Sequence, residues 1–355
     1  MRKKWLLLIP IALIAFYFAG PSPATPSYKI DFPQVPTDPA ALEAYIRNNE
    51  APHKLKPDNE ARIIWADSKG ASAGDHHAGD SLNAVGPVRQ RTEYAMVYLH
   101  GFSASQGEGA PLHRNLAKKF GCNLYLSRLA EHGIDTTEPM LYLSADGLWE
   151  SAKQALAIGG QIGNKVVLVG TSTGGTLALQ LAAAYPDKVA ALVLLSPNIE
   201  INDPNAWVLN NHWGLQVAHK VAGSDYIITK EDYGPVYRQY WYPKYRLEGA
   251  VALEELLETT MNKETFGKVA QPVGVFYYYK DPIHQDSTVK VSAILRMFDQ
   301  LGTQPGLKYK QAFPEAGTHV ICSPIRSHDA EGVENAIVKF LADIVHLTPA
   351  DSTKK

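Results

Sequence analysis

The chain has 355 residues, 45% of them hydrophobic and 20% charged, which is the composition of an ordinary globular protein and excludes a disordered, fibrous or multi-span membrane protein. Thirty-four lysines and arginines against 36 aspartates and glutamates give a formal net charge of −2, and no basic stripe indicates a nucleic-acid partner. Two cysteines, Cys122 and Cys322, are too few for a disulfide scaffold and lack zinc-type spacing. We expect both to be apolar filler, without a bridge between them.

The first 26 residues differ from the rest of the chain. Arg2, Lys3 and Lys4 precede an apolar run over residues 5–19, and a proline-rich stretch follows over residues 20–26. A basic flank, about 15 apolar residues and a helix breaker are typical of a secretory signal. We therefore expect export to the periplasm or the extracellular space. The small-x-small pattern for cleavage is poor, so an uncleaved segment that tethers the protein to the membrane is the alternative outcome.

Residues 27–355 are predicted to form one α/β domain. A short helix is predicted at 42–48 and a strand at 61–67, before a loop rich in glycine, alanine and aspartate at 68–91. Strands are then predicted at 94–99, 122–126, 165–169, 189–195, 273–279 and 307–313, alternating with helices at 110–120, 145–158, 174–185, 291–301 and 330–345. This alternation indicates a mostly parallel sheet with helices on both faces. Residues 198–265 interrupt it and are predicted to form an inserted helical cap.

The loop at 68–91 contains residue types that ligate metals. Asp75, His76, His77 and Asp80 lie close together in sequence. No secondary structure is predicted there to fix their geometry, so we expect a solvated loop. No metal and no cofactor are predicted for this chain.

Ser172 is the candidate nucleophile. It lies at the centre of Gly170-Thr-Ser-Thr-Gly-Gly175, directly between a predicted strand and a predicted helix. In that context G-x-S-x-G is typical of a nucleophile elbow, in which glycine two residues to either side lets the neighbouring backbone approach closely. The helix that follows directs its N-terminal amides at a developing negative charge.

A serine hydroxyl needs a histidine base that is held by a carboxylate. For a serine in such an elbow, the acid and then the histidine follow along the chain. His319 lies in the turn between the last predicted strand and the last predicted helix and is the candidate base. Two carboxylates follow the strand at 273–279. Asp286 is favoured because it directly precedes a helix, and Asp281 remains the alternative.

Two backbone amides are predicted to form the oxyanion hole. Thr173, the residue after the nucleophile, supplies one, and Phe102 in the loop after the strand at 94–99 supplies the other. We interpret His100 in the same loop as a turn residue.

Four segments together resemble the α/β-hydrolase superfamily, most closely its carboxylesterase and monoacylglycerol-lipase-like branch. They are His100–Ser105 (HGFSAS), Arg128–Gly133 (RLAEHG), Gly170–Gly175 (GTSTGG) and Gly317–Val320 (GTHV). The resemblance implies a mostly parallel eight-stranded sheet with helices on both faces, a Ser-acid-His triad, and hydrolysis of small-molecule esters without a cofactor. An acyltransferase with the same triad, or a non-catalytic binding protein of this fold, are the alternatives.

The predicted cap is rich in aromatic residues, and three of them are candidates for a substrate pocket: Trp213, Tyr237 and Trp241. Aromatic walls suit an acyl or aryl group, although the same rings could simply pack the cap onto the core. The small net charge favours a neutral ester.

Overall fold

The computed structural model describes residues 2–66, 89–229 and 233–350, with side chains from residue 10 onward. One large sheet carries helices on both faces, and a smaller unit is inserted after its strand β5. The strands are β1 Arg62–Ile64, β2 Thr92–Leu99, β3 Asn123–Leu126, β4 Gly163–Thr171, β5 Ala191–Leu195, β6 Tyr226–Ile228, β7 Lys244–Arg246, β8 Val273–Tyr277 and β9 Lys308–Ala312. The helices are α1 Arg2–Phe18, α2 Pro39–Glu50, α3 Leu112–Phe120, α4 Ala145–Ile162, α5 Thr173–Ala184, α6 Gly214–Ala222, α7 Gly234–Tyr240, α8 Leu247–Thr260, α9 Lys263–Lys268, α10 Val291–Gln300 and α11 Ala330–Asp343.

The large sheet has the strand order β1-β3-β2-β4-β5-β8-β9. All neighbouring strands are parallel except β1, which runs antiparallel to β3 at the edge. The predicted α/β architecture is confirmed, but the described residues supply seven strands to this sheet and not eight. In these residues β1 alone precedes β2, and it is a short edge strand. Because the other strands are parallel, their carboxyl ends meet at one edge of the sheet.

Both faces of the sheet are covered by buried apolar side chains. Helices α4 and α5 contribute Leu156 and Leu177 to one side, and α3 and α11 contribute Leu116 and Phe340 to the other. Strand β4 is therefore buried continuously over residues 166–171, as expected for a central parallel strand. The turn that follows β4 therefore begins at the buried end of this strand.

The unit between β5 and β8 corresponds to the predicted cap. It contains helices α6 to α9 and the antiparallel pair β6–β7, in which Tyr226 lies opposite Arg246. Helix α8 packs onto the core through Ala252 and Leu256, whose four-residue spacing places them on one face. The cap is mainly helical, with a two-stranded sheet that the sequence pattern does not reveal.

The N-terminal apolar segment forms helix α1, which contains Pro10. Its last turn contacts the cap: the Tyr17 hydroxyl donates to Asn211 Oδ1 at 2.8 Å, and the Phe16 ring stacks on Trp213 with centroids 4.9 Å apart. Among the helices described, none combines the length and apolar character needed to cross a membrane.

Cys122 and Cys322 are both buried, and neither forms a disulfide. Burial raises the pKa of each thiol to about 12. Both thiols therefore remain protonated at neutral pH, as expected for apolar filler.

Candidate active site

Ser172 occupies a sharp turn between β4 and α5, with φ of +52° and ψ of −117°. A non-glycine residue with positive φ is strained and is held there by its surroundings. The positions two residues before and after Ser172 have no room for a Cβ atom and therefore require glycine. A Cβ atom on Gly170 would lie 2.5 Å from the carbonyl carbon of Gly174, and a Cβ atom on Gly174 would lie 1.9 Å from the carbonyl oxygen of Leu99. The turn has the geometry expected of a nucleophile elbow.

Backbone hydrogen bonds hold the turn in place. The Ser172 N–H donates to the Leu195 carbonyl at 2.9 Å, and the Ser172 carbonyl accepts from the Asn198 N–H at 3.0 Å. Ser172 is 6% exposed and caps the N-terminus of α5. The first amides of a helix lack partners inside the helix, so a negative charge that forms at this end is stabilised.

His319 lies in the loop between β9 and α11 and is paired with Asp286, which lies in the loop after β8. The His319 Nδ1 and Asp286 Oδ2 atoms are 2.6 Å apart. The other Asp286 oxygen, Oδ1, accepts from the Thr288 N–H at 2.8 Å and from the Val289 N–H at 3.1 Å. Asp286 is 1% exposed, so these contacts fix the orientation of its carboxylate as an acceptor. His319 Nδ1 is consequently the donor.

This arrangement leaves the second ring nitrogen of His319 available. His319 Nε2 is buried and has no hydrogen-bond partner in the part of the chain that the structure describes. Burial lowers the pKa of His319, but the Asp286 carboxylate and the nearby Glu108 together outweigh burial and hold the pKa above its usual value. With its proton on Nδ1, the neutral ring can accept a proton at Nε2.

Asp281, the alternative acid, has a different partner. Its Oδ1 accepts from the Ile283 and His284 N–H groups, each at 2.8 Å, and its Oδ2 lies 2.8 Å from His284 Nδ1. The His284 backbone hydrogen bond and side chain, with the Ile283 N–H, lower the pKa of Asp281 to about 2. Asp281 closes the exposed turn after β8, and Asp286 is the carboxylate that meets His319.

The two predicted oxyanion donors lie at neighbouring strand ends, because Leu99 of β2 is opposite Gly170 of β4. Thr173 is the first residue of α5, so its N–H has no acceptor within the helix. Phe102 follows β2 by three residues, and its ring packs edge-on against Tyr245 in the cap, with centroids 5.2 Å apart. Both amides therefore originate at the same edge of the sheet as Ser172.

His100, interpreted from the sequence as a turn residue, also links two loops. It is fully buried, and its Nδ1 donates to the Gly101 carbonyl at 2.9 Å while its Nε2 accepts from the Leu129 N–H at 3.0 Å. Burial lowers the pKa of His100 to about 4, so the ring is neutral. It joins the loop after β2 to the loop after β3. Its position directly after an apolar strand is the sequence signal that could have indicated burial.

Sequence reasoning also missed Glu108. This residue is 2% exposed, and its carboxylate accepts from the Gly101 N–H at 2.6 Å. A glutamate in a loop of serine, glutamine and glycine is ordinarily exposed, so no local pattern indicates its burial.

The three aromatic pocket candidates do not lie together. Tyr237 and Trp241 are buried and stack on each other with centroids 4.9 Å apart, and Trp241 lies near the Glu108 carboxylate. Trp213 instead stacks on Phe16 of α1 and donates through its indole N–H to the Phe16 carbonyl at 3.0 Å. Only Tyr237 and Trp241 have contacts that connect them to the loop after β2.

The candidate metal ligands Asp75, His76, His77 and Asp80 lie outside the described residues. Within residues 2–66, 89–229 and 233–350, no group of three or more histidine, cysteine, aspartate or glutamate side chains is placed to hold a metal ion.

Comparison with known proteins agrees with the α/β architecture. A family model described as the α/β hydrolase fold matches residues 94–226, which include Ser172 and the loop after β2. A structure reported for the metagenome-derived lipolytic enzymes LipS and LipT superposes with a TM-score of 0.60 at 14% identity, covering 81% of this chain and 99% of that chain. The chain has the α/β-hydrolase fold.

Two further likenesses agree with that assignment. A monoacylglycerol lipase from Paleococcus ferrophilus gives a TM-score of 0.55 at 18% identity, covering 73% of this chain and 97% of that one. The lipase LipV of Mycobacterium tuberculosis is 60% identical over 37 residues, which are 10% of this chain and 14% of the lipase. The match thus spans about a seventh of that curated relative. The α/β-hydrolase fold implied by the four motifs is confirmed.

Proposed function

We propose that this protein is a serine hydrolase that cleaves small-molecule carboxylic esters through an acyl-enzyme intermediate. The observation that carries the proposal is the 2.6 Å contact between His319 Nδ1 and Asp286 Oδ2, which leaves His319 Nε2 buried and without a partner in the described residues. Ser172 stands in a strained elbow at the same edge of the sheet. The likeness to lipolytic enzymes and to a monoacylglycerol lipase supports the ester as the substrate class.

The chemistry follows from these three side chains. His319 Nε2 takes the hydroxyl proton of Ser172 while the serine oxygen attacks the ester carbonyl carbon. The tetrahedral oxyanion accepts hydrogen bonds from the Phe102 and Thr173 N–H groups. His319 then returns its proton to the departing alcohol oxygen, and the ester C–O bond breaks to leave an acylated Ser172. Asp286 stabilises the imidazolium that exists between these two proton transfers.

The second half of the reaction releases the acid. His319 removes a proton from water, and the resulting hydroxide attacks the acyl carbonyl carbon. Collapse of the second tetrahedral intermediate returns the proton from His319 to the oxygen of Ser172. The carboxylic acid leaves, and the enzyme is restored.

The proposed substrate is a neutral ester of carboxylesterase or monoacylglycerol-lipase type. The net charge of −2 provides no strong field for an anionic substrate. Rates with p-nitrophenyl esters of increasing chain length, followed by monoacylglycerols, measure the acyl preference. Product analysis with methanol as a competing acceptor measures acyl transfer against hydrolysis.

Labelling with a fluorophosphonate probe tests the nucleophile. We expect the wild-type protein to be labelled and Ser172→Ala to lose both labelling and ester turnover. Ser196→Ala is the matched control, because Ser196 is another buried serine with positive φ, at the end of the neighbouring strand β5. Equal labelling of wild type and Ser172→Ala would refute the proposal.

A further inference from the structure

Glu108 is a buried acid beside the loop that follows β2. It lies in the 3-10 turn Gln106–Gly109. Its Oε2 accepts from the Gly101 N–H at 2.6 Å and from the Tyr98 hydroxyl at 3.3 Å, and Trp241 lies near the carboxylate. Within the described residues, no lysine or arginine forms an ion pair with it.

Such an acid is unfavourable in a protein core. Burial of a carboxylate without a cation disfavours its ionised form, and burial raises the pKa of Glu108 to about 7. An uncharged side chain of similar size would fill this space at lower cost. An apolar side chain, however, could not accept the hydrogen bond that Glu108 accepts from the Gly101 N–H.

Glu108 holds the peptide group directly before the one that carries the proposed oxyanion donor, because the Gly101 N–H belongs to the His100–Gly101 peptide. The Gly101 N–H donates to Glu108, and the Gly101 carbonyl accepts from His100 Nδ1 at 2.9 Å and from the Ala104 N–H at 3.3 Å. A trans peptide is planar, and its C=O and N–H point in opposite directions. With both polar groups of Gly101 fixed, the direction of the Phe102 N–H is fixed as well.

The Glu108 carboxylate lies so close to Gly101 that a side chain at that position would not fit. A Cβ atom on Gly101 would lie 2.8 Å from Glu108 Oε1. The carboxylate therefore rests directly against the backbone of the loop. Trp241 of the cap, which stacks on Tyr237, lies near the same carboxylate.

Glu108 also acts electrostatically on the proposed base. Its negative charge favours the protonated form of His319, as does that of Asp286, whereas Arg326 opposes it. The titratable groups that face Glu108 are Tyr98 from β2, Tyr237 from the cap, and His319 and Cys322 from the loops after β9.

We propose that Glu108 is a positioning residue of this esterase: by accepting from the Gly101 N–H it fixes the backbone that directs the Phe102 N–H toward the substrate oxyanion. An electrostatic effect on His319 accompanies this role, since Cys322, in the same loop as His319, donates to the Glu108 carbonyl at 3.9 Å. The inference rests on the proposed function and adds a fourth side chain to the site. Glu108 acts through the loop and through the base, without touching the ester itself.

Replacement of Glu108 by glutamine removes the charge and retains an oxygen that accepts from the Gly101 N–H. We expect this conservative variant to retain more of the wild-type kcat at pH 8 than Glu108→Ala does, because it keeps an acceptor for the Gly101 N–H. The acid limb of kcat/KM should move to lower pH, because His319 loses one of the charges that favour its protonated form. Glu254→Gln is the matched control, since it also neutralises a buried glutamate, but one in the cap. It should leave the acid limb in place.

Replacement of Glu108 by alanine removes the acceptor as well. We expect kcat to fall by roughly tenfold to a hundredfold with KM little changed, because the oxyanion contact is made mainly in the transition state. The measurement is made well below the melting temperature of the variant. A wild-type kcat in folded Glu108→Ala would overturn the positioning role, and an unmoved acid limb in Glu108→Gln would overturn the electrostatic role.

NMR separates this proposal from the proposed esterase activity. The chemical shifts of the Gly101 amide proton and of the His319 ring report the same two interactions without turnover. We expect Glu108→Gln to move the Gly101 amide resonance and to lower the pH midpoint of His319. If wild type does not cleave esters, the proposed function fails, and unchanged NMR midpoints and shifts would overturn the Glu108 proposal separately.

Discussion

Replacement of Asp286 by asparagine should disable the proposed base while leaving the fold intact. The Thr288 and Val289 N–H groups can only donate hydrogen bonds, so in the variant the asparagine side-chain oxygen must face them. The side-chain NH₂ then faces His319 Nδ1, which lies 2.6 Å from the present carboxylate oxygen. This contact stabilises the ring with its proton on Nε2, and a protonated Nε2 cannot take the proton from Ser172.

The magnitude follows from the two effects of that substitution. The ring loses the tautomer that the reaction needs, and the imidazolium loses the carboxylate that stabilises it. Loss of the correct tautomer at a triad of this kind costs about 10⁴-fold in kcat. We expect kcat/KM of Asp286→Asn to fall by about 10³-fold to 10⁴-fold, which corresponds to about 4 to 5.5 kcal/mol of transition-state stabilisation.

The assay is steady-state hydrolysis of p-nitrophenyl acetate at pH 8, with circular dichroism to verify folding. Asp281→Asn is the control, because Asp281 is exposed and contacts His284 in a surface turn. It should stay within about threefold of wild type, as expected for a surface substitution. The reasoning is refuted if Asp286→Asn keeps more than about a tenth of wild-type kcat/KM, or if Asp281→Asn is equally impaired.

Two further predictions concern stability. Gly174→Ala places a Cβ atom 1.9 Å from the Leu99 carbonyl oxygen and should lower the free energy of unfolding by about 3 kcal/mol. Gly160→Ala in α4 meets nothing within 4 Å and should raise it by about 0.5–1 kcal/mol; equal melting temperatures for the two variants would contradict this. Burial, with nearby carboxylates, raises the pKa of Glu254 from 4.5 to about 7, so its contribution to stability is present below pH 4.5 and is lost as the pH rises through 7. Glu254→Gln should therefore be more stable than wild type by about 1–2 kcal/mol at pH 8 and nearly equal to it at pH 4.5, and a constant difference in urea unfolding across this range would refute the assignment.

Local sequence patterns were sufficient for several features of this protein. Alternating apolar strands and helices predicted the α/β sheet, because periodicity depends on the local direction of side chains. Gly170, Ser172 and Gly174 predicted the elbow, since the turn itself excludes Cβ atoms at the two glycines. His319 was the candidate base from chain order, and the structure places it 2.6 Å from Asp286. The export segment at residues 1–26 remains a prediction from sequence.

Tertiary structure decided the features that depend on residues far apart in the chain. Asp281 and Asp286 follow the same strand and have the same chemistry, so only the position of a loop 33 residues from Asp286 shows which one meets His319. Trp213 belongs to an aromatic-rich segment, yet its ring lies against Phe16 because α1 packs there.

Glu108 is the clearest case of this kind. Nothing in its immediate sequence indicates burial. Its hydrogen bonds come from Tyr98 and Gly101, and Trp241 of the cap lies nearby. Residue type and spacing determine which turns and helices a chain can form. Which acid is buried, and which base it acts on, depends on how those elements pack, because desolvation and charge interaction act through space and not along the sequence.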